Sequence, residues 1–184
     1  MKNSQIGYYL KLTLTLLVIA AVVSGLLGLT NFITEEKIAN IAAEKTAASM
    51  QEVLPADEYT PVDYTGPEAN VASVHKAGDA GFVVEVTPAG FGGAIDMVVG
   101  VASDGTVTGV SIVKMTETSG LGANAASSAE VGVSFRAQFV GQGAGIALTK
   151  SGGSIDALSG ATITSTSVTH AVAVSIEAVG MLLG

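Results

Sequence analysis

GFVVEVTPAGFGGAIDMVVGVASDGTVTGVSIVKM, residues 81–115, holds three short runs rich in β-branched residues in quick succession. The runs are 81–87, 95–101 and 107–115, and in the second Ile95, Met97, Val99 and Val101 fall on one face of a strand. Asp104-Gly105 before the third is a two-residue hairpin signal in which both central positions need positive φ. The three runs predict an antiparallel sheet. Downstream, Ser127 or Ser128 caps a helix reaching Phe139, and Gly141-Gln142-Gly143-Ala144-Gly145 breaks it. Val168, Val172, Ile176, Val179 and Leu183 then recur at spacings of four, four, three and four, the seam of an amphipathic helix with Thr169, His170 and Glu177 on its polar side. Strands first and helices after, with no internal repeat, read as α+β with a mainly antiparallel sheet and flanking helices.

Upstream of the sheet, residues 12–32 contain no charge and as a helix would cover about 30 Å, the hydrocarbon thickness of a bilayer. Tyr8 and Tyr9 suit an interface belt, and Gly25 and Gly28 are ordinary in membrane helices. A cleaved signal peptide has a shorter apolar region ending in small residues, whereas this run is longer and is stopped by Glu35-Glu36-Lys37, so a retained anchor is expected. Lys2 and Lys11 lie close before the span. The positive-inside rule therefore puts the amino terminus in the cytoplasm and the large domain outside. From Thr34 to Met50 apolar Ile38, Ile41, Ala42 and Ala48 alternate with Glu35, Lys37, Glu44 and Lys45 as in a continuing helix, which Pro55 closes before a polar connection to Pro67. The expected division is a cytoplasmic tail and transmembrane anchor over 1–33, a juxtamembrane helix and linker over 34–66, and one soluble domain over 67–184.

Composition narrows the chemistry. The 184 residues suit one domain with an appendage. With no cysteine, disulfides, iron-sulfur clusters, thiolate zinc sites and c-type haem are excluded. Two distant histidines, His75 and His170, give a metal site or a Ser/His/Asp triad little to work with. After the apolar run stand six basic and sixteen acidic residues, a net charge of −10 that would repel a phosphate backbone. Nucleic acid is not an expected partner.

Gly120-Leu121-Gly122-Ala123-Asn124-Ala125 fits GxGxxA, but Thr116 to Ser119 separate it from the strand and no acidic residue follows at the required distance. A dinucleotide fold is not expected. Residues 152–165 form a loop of small and hydroxyl residues ahead of the last helix, with five hydroxyls between Ser159 and Thr166. Free N–H groups and the positive end of a helix dipole favour a phosphate there, and the same residues read equally as a helix cap. His170 is expected solvated or bonded to the loop, Phe135 and Phe139 in a core, and His75-Lys76 in a surface turn.

Asp156-Ala157-Leu158-Ser159-Gly160-Ala161-Thr162 resembles the flavinylation motif D-x-x-[ST]-G-A-T of domains that carry FMN through a phosphoester to the final threonine. The single apolar span, Gly90-Phe91-Gly92-Gly93, Glu117-Thr118-Ser119-Gly120-Leu121-Gly122 and Gly152-Gly153 extend that likeness over most of the chain. Together they resemble the G-subunit family of the Rnf complex, an ion-translocating ferredoxin:NAD oxidoreductase. They are similar also to the C subunit of the sodium-translocating NADH:quinone oxidoreductase. A short chain without long insertions favours the first. The family's usual ETPGLG, with a histidine shortly ahead, is altered here to Ser119 and Met115, so no proton-handling role is expected in this loop and the loop is less rigid.

The resemblance implies a membrane electron-transfer flavoprotein with a single FMN-binding domain over 67–184 and FMN held covalently on Thr162. It passes electrons between other membrane and redox subunits of a translocase, with ion transport coupled indirectly. With no NAD or ferredoxin site of its own, no catalytic residue and no metal, it is expected to catalyse nothing alone. A flavin transferase using FAD and magnesium would attach the FMN, reading Asp156, Ser159, Gly160 and Ala161, with Gly160 leaving room for the phosphate or the transferase. Thr164 and Ser165 would bond the phosphodiester oxygens or else cap the helix. Glu117, Thr118 and Leu121 would lie near the isoalloxazine ring, Leu121 as an apolar wall, with Glu117 read alternatively as a solvated carboxylate. Arg136 is the one guanidinium that would stand near the flavin in an acidic domain. If the hydroxyl loop only caps its helix, the chain reads instead as a non-redox anchored scaffold.

Overall fold

The structure, a computed structural model, describes residues 2–183, with side chains from residue 7 onward. Met1 and Gly184, at the limits of the expected domains, lie outside the described residues, as does the side chain of Lys2. The chain divides into two units, Met1–Glu44 and Lys45–Gly184.

The first unit is helical throughout its described length, within helix α1, Lys2–Val53. Leu14, Leu16, Val18 and Leu26 are exposed, and the helix is long and apolar enough to cross a membrane. Its threonine hydroxyls turn back on the helix, Thr15 donating to the Lys11 carbonyl at 2.8 Å and Thr30 to the Leu26 carbonyl at 2.8 Å. No hydroxyl among these needs a partner that lipid cannot supply.

The second unit is an antiparallel meander in the order β1 (Thr60–Val62), β2 (Val71–Ala77), β3 (Gly81–Val86), β4 (Ile95–Ala102) and β5 (Val107–Met115). Two helices follow it, α2 (Glu130–Ala137) and α3 (Thr162–Leu183), with single 3₁₀ turns at Gly122–Ala126 and Thr149–Ser151. The fold is therefore α+β. Val168, Val172, Ile176 and Val179 of α3 share one core with Val84, Met97, Val99, Phe135 and Phe139. Ile95, Met97, Val99 and Val101 all belong to that core, as their alternation predicts.

Across the sheet, Met50, Val53 and Leu54 at the end of α1 cover Ala77, Val83 and Val98. Both sheet faces are thus buried, which is why β3 and β4 read as near-continuous apolar runs. Gly100 and Gly109 make the docking possible, since a Cβ on either would stand 2.7 Å from the Val53 carbonyl oxygen or 2.9 Å from its Cα. Thr108 Oγ1 donates to that same carbonyl at 2.6 Å.

Four local expectations are corrected. His75 and Lys76 lie in β2, not in a turn, with Ser73 Oγ and Glu85 Oε1 at 3.0 and 3.1 Å from His75 Nε2. The polar connection contains β1, which pairs with β2. The 104–105 turn has one left-handed residue, Gly105 at φ 84°, because Ala102 N–H bonds the Thr106 carbonyl around a three-residue loop. Helix α2 stops at Ala137 and has Ala129 at its N-cap, while Ser127 Oγ accepts the Ala129 N–H at 3.0 Å in the turn before it. Phe135 and Phe139 are buried as expected, edge to face at 5.4 Å.

Candidate functional site

The hydroxyl loop folds around Ser165. Its Oγ accepts the Leu158 N–H at 2.9 Å and donates to the Ala161 carbonyl at 2.9 Å, both inside the protein. Ala161 N–H bonds the Leu158 carbonyl at 3.1 Å, closing a turn whose third residue is Gly160 at φ 70°. That position demands glycine for its conformation, and an added Cβ would also reach Leu121 Cδ2 at 3.0 Å. The turn delivers Thr162 as the first residue of α3 with its side chain exposed. Ser165 N–H bonds the Ala161 carbonyl, so the N–H groups of Thr162, Ile163 and Thr164 precede the helix's own ladder, at its electropositive end.

These residues form one wall of a cavity of about 380 Å³. Gly160, Ala161, Thr162, Ile163 and Thr164 face Phe91 from the 87–94 loop and Glu117, Thr118, Leu121 and Gly122 from the loop after β5. Phe91, Ile163 and Leu121 are 70%, 54% and 43% exposed, an unusual concentration of apolar surface around one opening. Among the described residues, Glu117 is the sole charged one lining it. Its Oε1 accepts the N–H groups of Phe91 at 2.7 Å and Gly92 at 3.1 Å, and its Oε2 accepts the Thr164 hydroxyl at 3.0 Å. Ser167 Oγ donates to the Ala89 carbonyl at 2.7 Å, a second tie between α3 and the 87–94 loop.

Of the site residues expected from sequence, Glu117, Thr118, Leu121, Gly160, Ala161, Thr162 and Thr164 come together here. Ser159 is exposed beside the cavity without lining it, and Ser165 is buried with its hydroxyl committed to the turn. Arg136 does not line it either. Its Nη1 donates to the Ala125 and Ser127 carbonyls at 2.5 and 3.1 Å, and Arg136 lines a separate cleft. Phe91 and Ile163 also line the cavity, though neither is expected at the site from sequence; Phe91 lies in the Gly90-Phe91-Gly92-Gly93 segment that carries part of the resemblance.

The cavity suits a ligand with an apolar planar part and an anionic end. Its volume is that of a small-molecule site, its walls are apolar with a few hydroxyls, and a 22-residue helix opens into it. Isoalloxazine, ribityl and phosphate answer that description.

The sequence pattern of the FMN-binding domain matches residues 90–177, which include every residue lining this cavity. The pattern of the RnfG N-terminal region matches residues 5–53. A Methanosarcina acetivorans protein, named as the G subunit of an ion-translocating oxidoreductase complex, is 37% identical over 180 residues, covering 91% of this chain and 92% of its own. The G subunit of the Na(+)-translocating ferredoxin:NAD(+) oxidoreductase complex of Acetobacterium woodii is 35% identical, covering 91% and 89%. The proton-translocating counterpart from Clostridium ljungdahlii is 43% identical over 108 residues, 56% of this chain and 55% of that one.

Proposed function

This chain belongs to the family of G subunits of Rnf-type ion-translocating oxidoreductase complexes, and from that premise we propose that it is their membrane-anchored electron-transfer subunit, carrying FMN covalently on Thr162. One observation supports the attachment above others. An exposed threonine is the first residue of a long helix, at the edge of a small-molecule cavity inside the FMN-binding match.

FMN, once bound, supplies reversible one- and two-electron redox chemistry. The rest is the work of the chain's own residues. The N–H groups of Ile163 and Thr164 and the dipole of α3 would hold the phosphate attached at the Thr162 hydroxyl. Phe91, Leu121 and Ile163, which line the cavity together with Thr118, would keep water from the apolar ring. Asp156, Ser159, Gly160 and Ala161 present the turn that a flavin transferase reads. Attachment through phosphate leaves the ring chemistry untouched.

Residues 1–33 anchor the chain, 34–66 connect and brace it, and 67–184 carry the cofactor. The flanking Lys2 and Lys11 hold the amino terminus in the cytoplasm and the FMN domain outside. Beyond the membrane no FMN pool replaces what dissociates, so a reversible site would empty by mass action and a covalent one does not. The partners are the other membrane and redox subunits of the complex and the lipid bilayer.

Co-expression with a flavin transferase, denaturation and ultraviolet illumination of the gel test the attachment. Wild type is expected to fluoresce and Thr162→Val to stay dark; a dark wild-type band with an active transferase would favour a scaffold. An alkaline phosphatase fusion at the carboxyl end is expected to be active, and an inactive one would contradict the outward orientation.

A further inference from the structure

We propose that Glu117 is a positioning residue for the flavin, its carboxylate acting as a clasp that fixes the aromatic wall of the cavity against the helix carrying Thr162. The proposal rests on the reading of this cavity as the flavin site.

Three separate segments meet at one side chain. Oε1 takes two successive backbone N–H groups, Phe91 and Gly92, at 2.7 and 3.1 Å, and Oε2 takes the Thr164 hydroxyl at 3.0 Å. The partners lie 26, 25 and 47 residues away in sequence, so no local preference assembles them. Hydrogen bonds to an ionised carboxylate are about twice as strong as neutral ones, and the bond from the buried Thr164 is partly buried, while those from Phe91 and Gly92 face solvent. The surroundings are shaped to admit the carboxylate. A Cβ at Gly90 would overlap Oε1, and one at Gly122 would stand 2.6 Å from Oε2. Neither glycine has a positive φ, so the space each leaves, and not its conformational freedom, is what the clasp uses.

What the clasp holds matters for the cofactor. Phe91 is 70% exposed, so packing does little to hold this segment, and the bond to its own N–H fixes the backbone from which the ring projects. Thr164 lies two residues after Thr162 in the first turn of α3. Glu117 thus ties the apolar face offered to the ring to the point at which the phosphate is held.

Glutamine at 117 would keep this geometry. Its amide oxygen accepts the two N–H groups, its NH₂ donates to Thr164 Oγ1, and only the charge is lost. Alanine would lose the clasp entirely.

The test has two arms, both on the full chain in detergent. In a flavin-free Thr162→Val background, hydrogen exchange over residues 89–94 reads the clasp directly. Glu117→Ala is expected to speed exchange of the Phe91 and Gly92 amides by about tenfold or more, and Glu117→Gln, which keeps the bonds without the charge, by clearly less. In chains flavinylated on Thr162, the flavin's fluorescence anisotropy is expected to fall toward that of a freely rotating tethered flavin in Glu117→Ala and to be retained in Glu117→Gln. Unchanged exchange in Glu117→Ala overturns the clasp, and faster exchange with unchanged anisotropy overturns its role in positioning. A wild-type chain that takes no flavin on Thr162 overturns the cofactor reading itself, while the exchange arm still reports on the clasp. Should Glu117→Ala fail to fold, Gly122→Ala, whose added methyl would meet first the Thr164 hydroxyl and the Glu117 side chain from outside the 89–94 segment, displaces the carboxylate with its charge intact and carries the same expectations in both arms.

Discussion

Ser165 holds the backbone of Leu158 across the turn before the last helix, its Oγ accepting the Leu158 N–H at 2.9 Å in the protein interior. The six residues between them, which include the proposed attachment point at the start of α3, are bent around that bond. Ser165→Ala leaves a buried N–H without an acceptor, a loss of about 1–3 kcal/mol. Chemical denaturation of the full chain in detergent is expected to register it, and an unchanged midpoint would contradict the assignment.

Gly160 is in the left-handed region at φ 70°, with Leu121 Cδ2 3.0 Å from where a Cβ would stand. Gly160→Ala is expected to cost about 1–2 kcal/mol in backbone conformation alone. Gly160→Asn is expected to cost less, since asparagine tolerates this region better than other side chains. Thermal unfolding of the pair checks the order. Equal losses would mean that the Leu121 contact and not the backbone sets the requirement.

The end of α1 sits on the sheet through Gly100 and Gly109. A methyl on Gly100 would overlap Thr108 Oγ1 and stand 2.7 Å from the Val53 carbonyl oxygen, so Gly100→Ala is expected to destabilise by about 1–3 kcal/mol. Limited proteolysis is expected to cut earlier around residues 54–59 in this variant, with flavin attachment retained. Unaltered cleavage would contradict the docking.

Asp104 gives a pH signature. Its carboxyl is held below its ordinary value, first by the Thr106 hydroxyl at 2.6 Å and then by the Thr106 N–H at 2.9 Å. A carboxyl depressed in the folded state contributes stability above its unfolded-state pKa and loses it as pH falls through the depressed one. Thr106→Val is expected to move the Asp104 titration upward toward the ordinary value in an NMR experiment, and an unmoved titration would contradict the hydroxyl's role.

The strands of residues 81–115 were legible because burial on both faces makes them short, β-branched apolar runs, and the seam of α3 because Val168, Val172, Ile176 and Val179 all enter one core. Strand β2 was not. A register shift between Val71 and Ser73 lets Val71 and Val74, three apart, pack into the same core, which destroys the period of two. Its outer positions Ser73 and His75 look like turn residues until Glu85, ten and more residues away, is seen to bond both. Most residues at the site were found through the motif after β5 and the loop before α3. Phe91 and the linkage through Glu117 were not, because partners 25 to 47 residues apart leave no pattern in a single sequence. Gly160 is singled out in the sequence for the room it leaves, and its φ of 70° adds a backbone requirement that the motif alone does not reveal.

A covalent bond at one hydroxyl is central to the proposed function. Tandem mass spectrometry of the peptide spanning residues 151–170, taken from the chain matured with an active flavin transferase, reads it directly. The expected result is the added mass of FMN less one water, localised by fragmentation to Thr162. An unmodified Thr162 in that peptide, or the same mass on Ser159, Thr164 or Thr166, would contradict it.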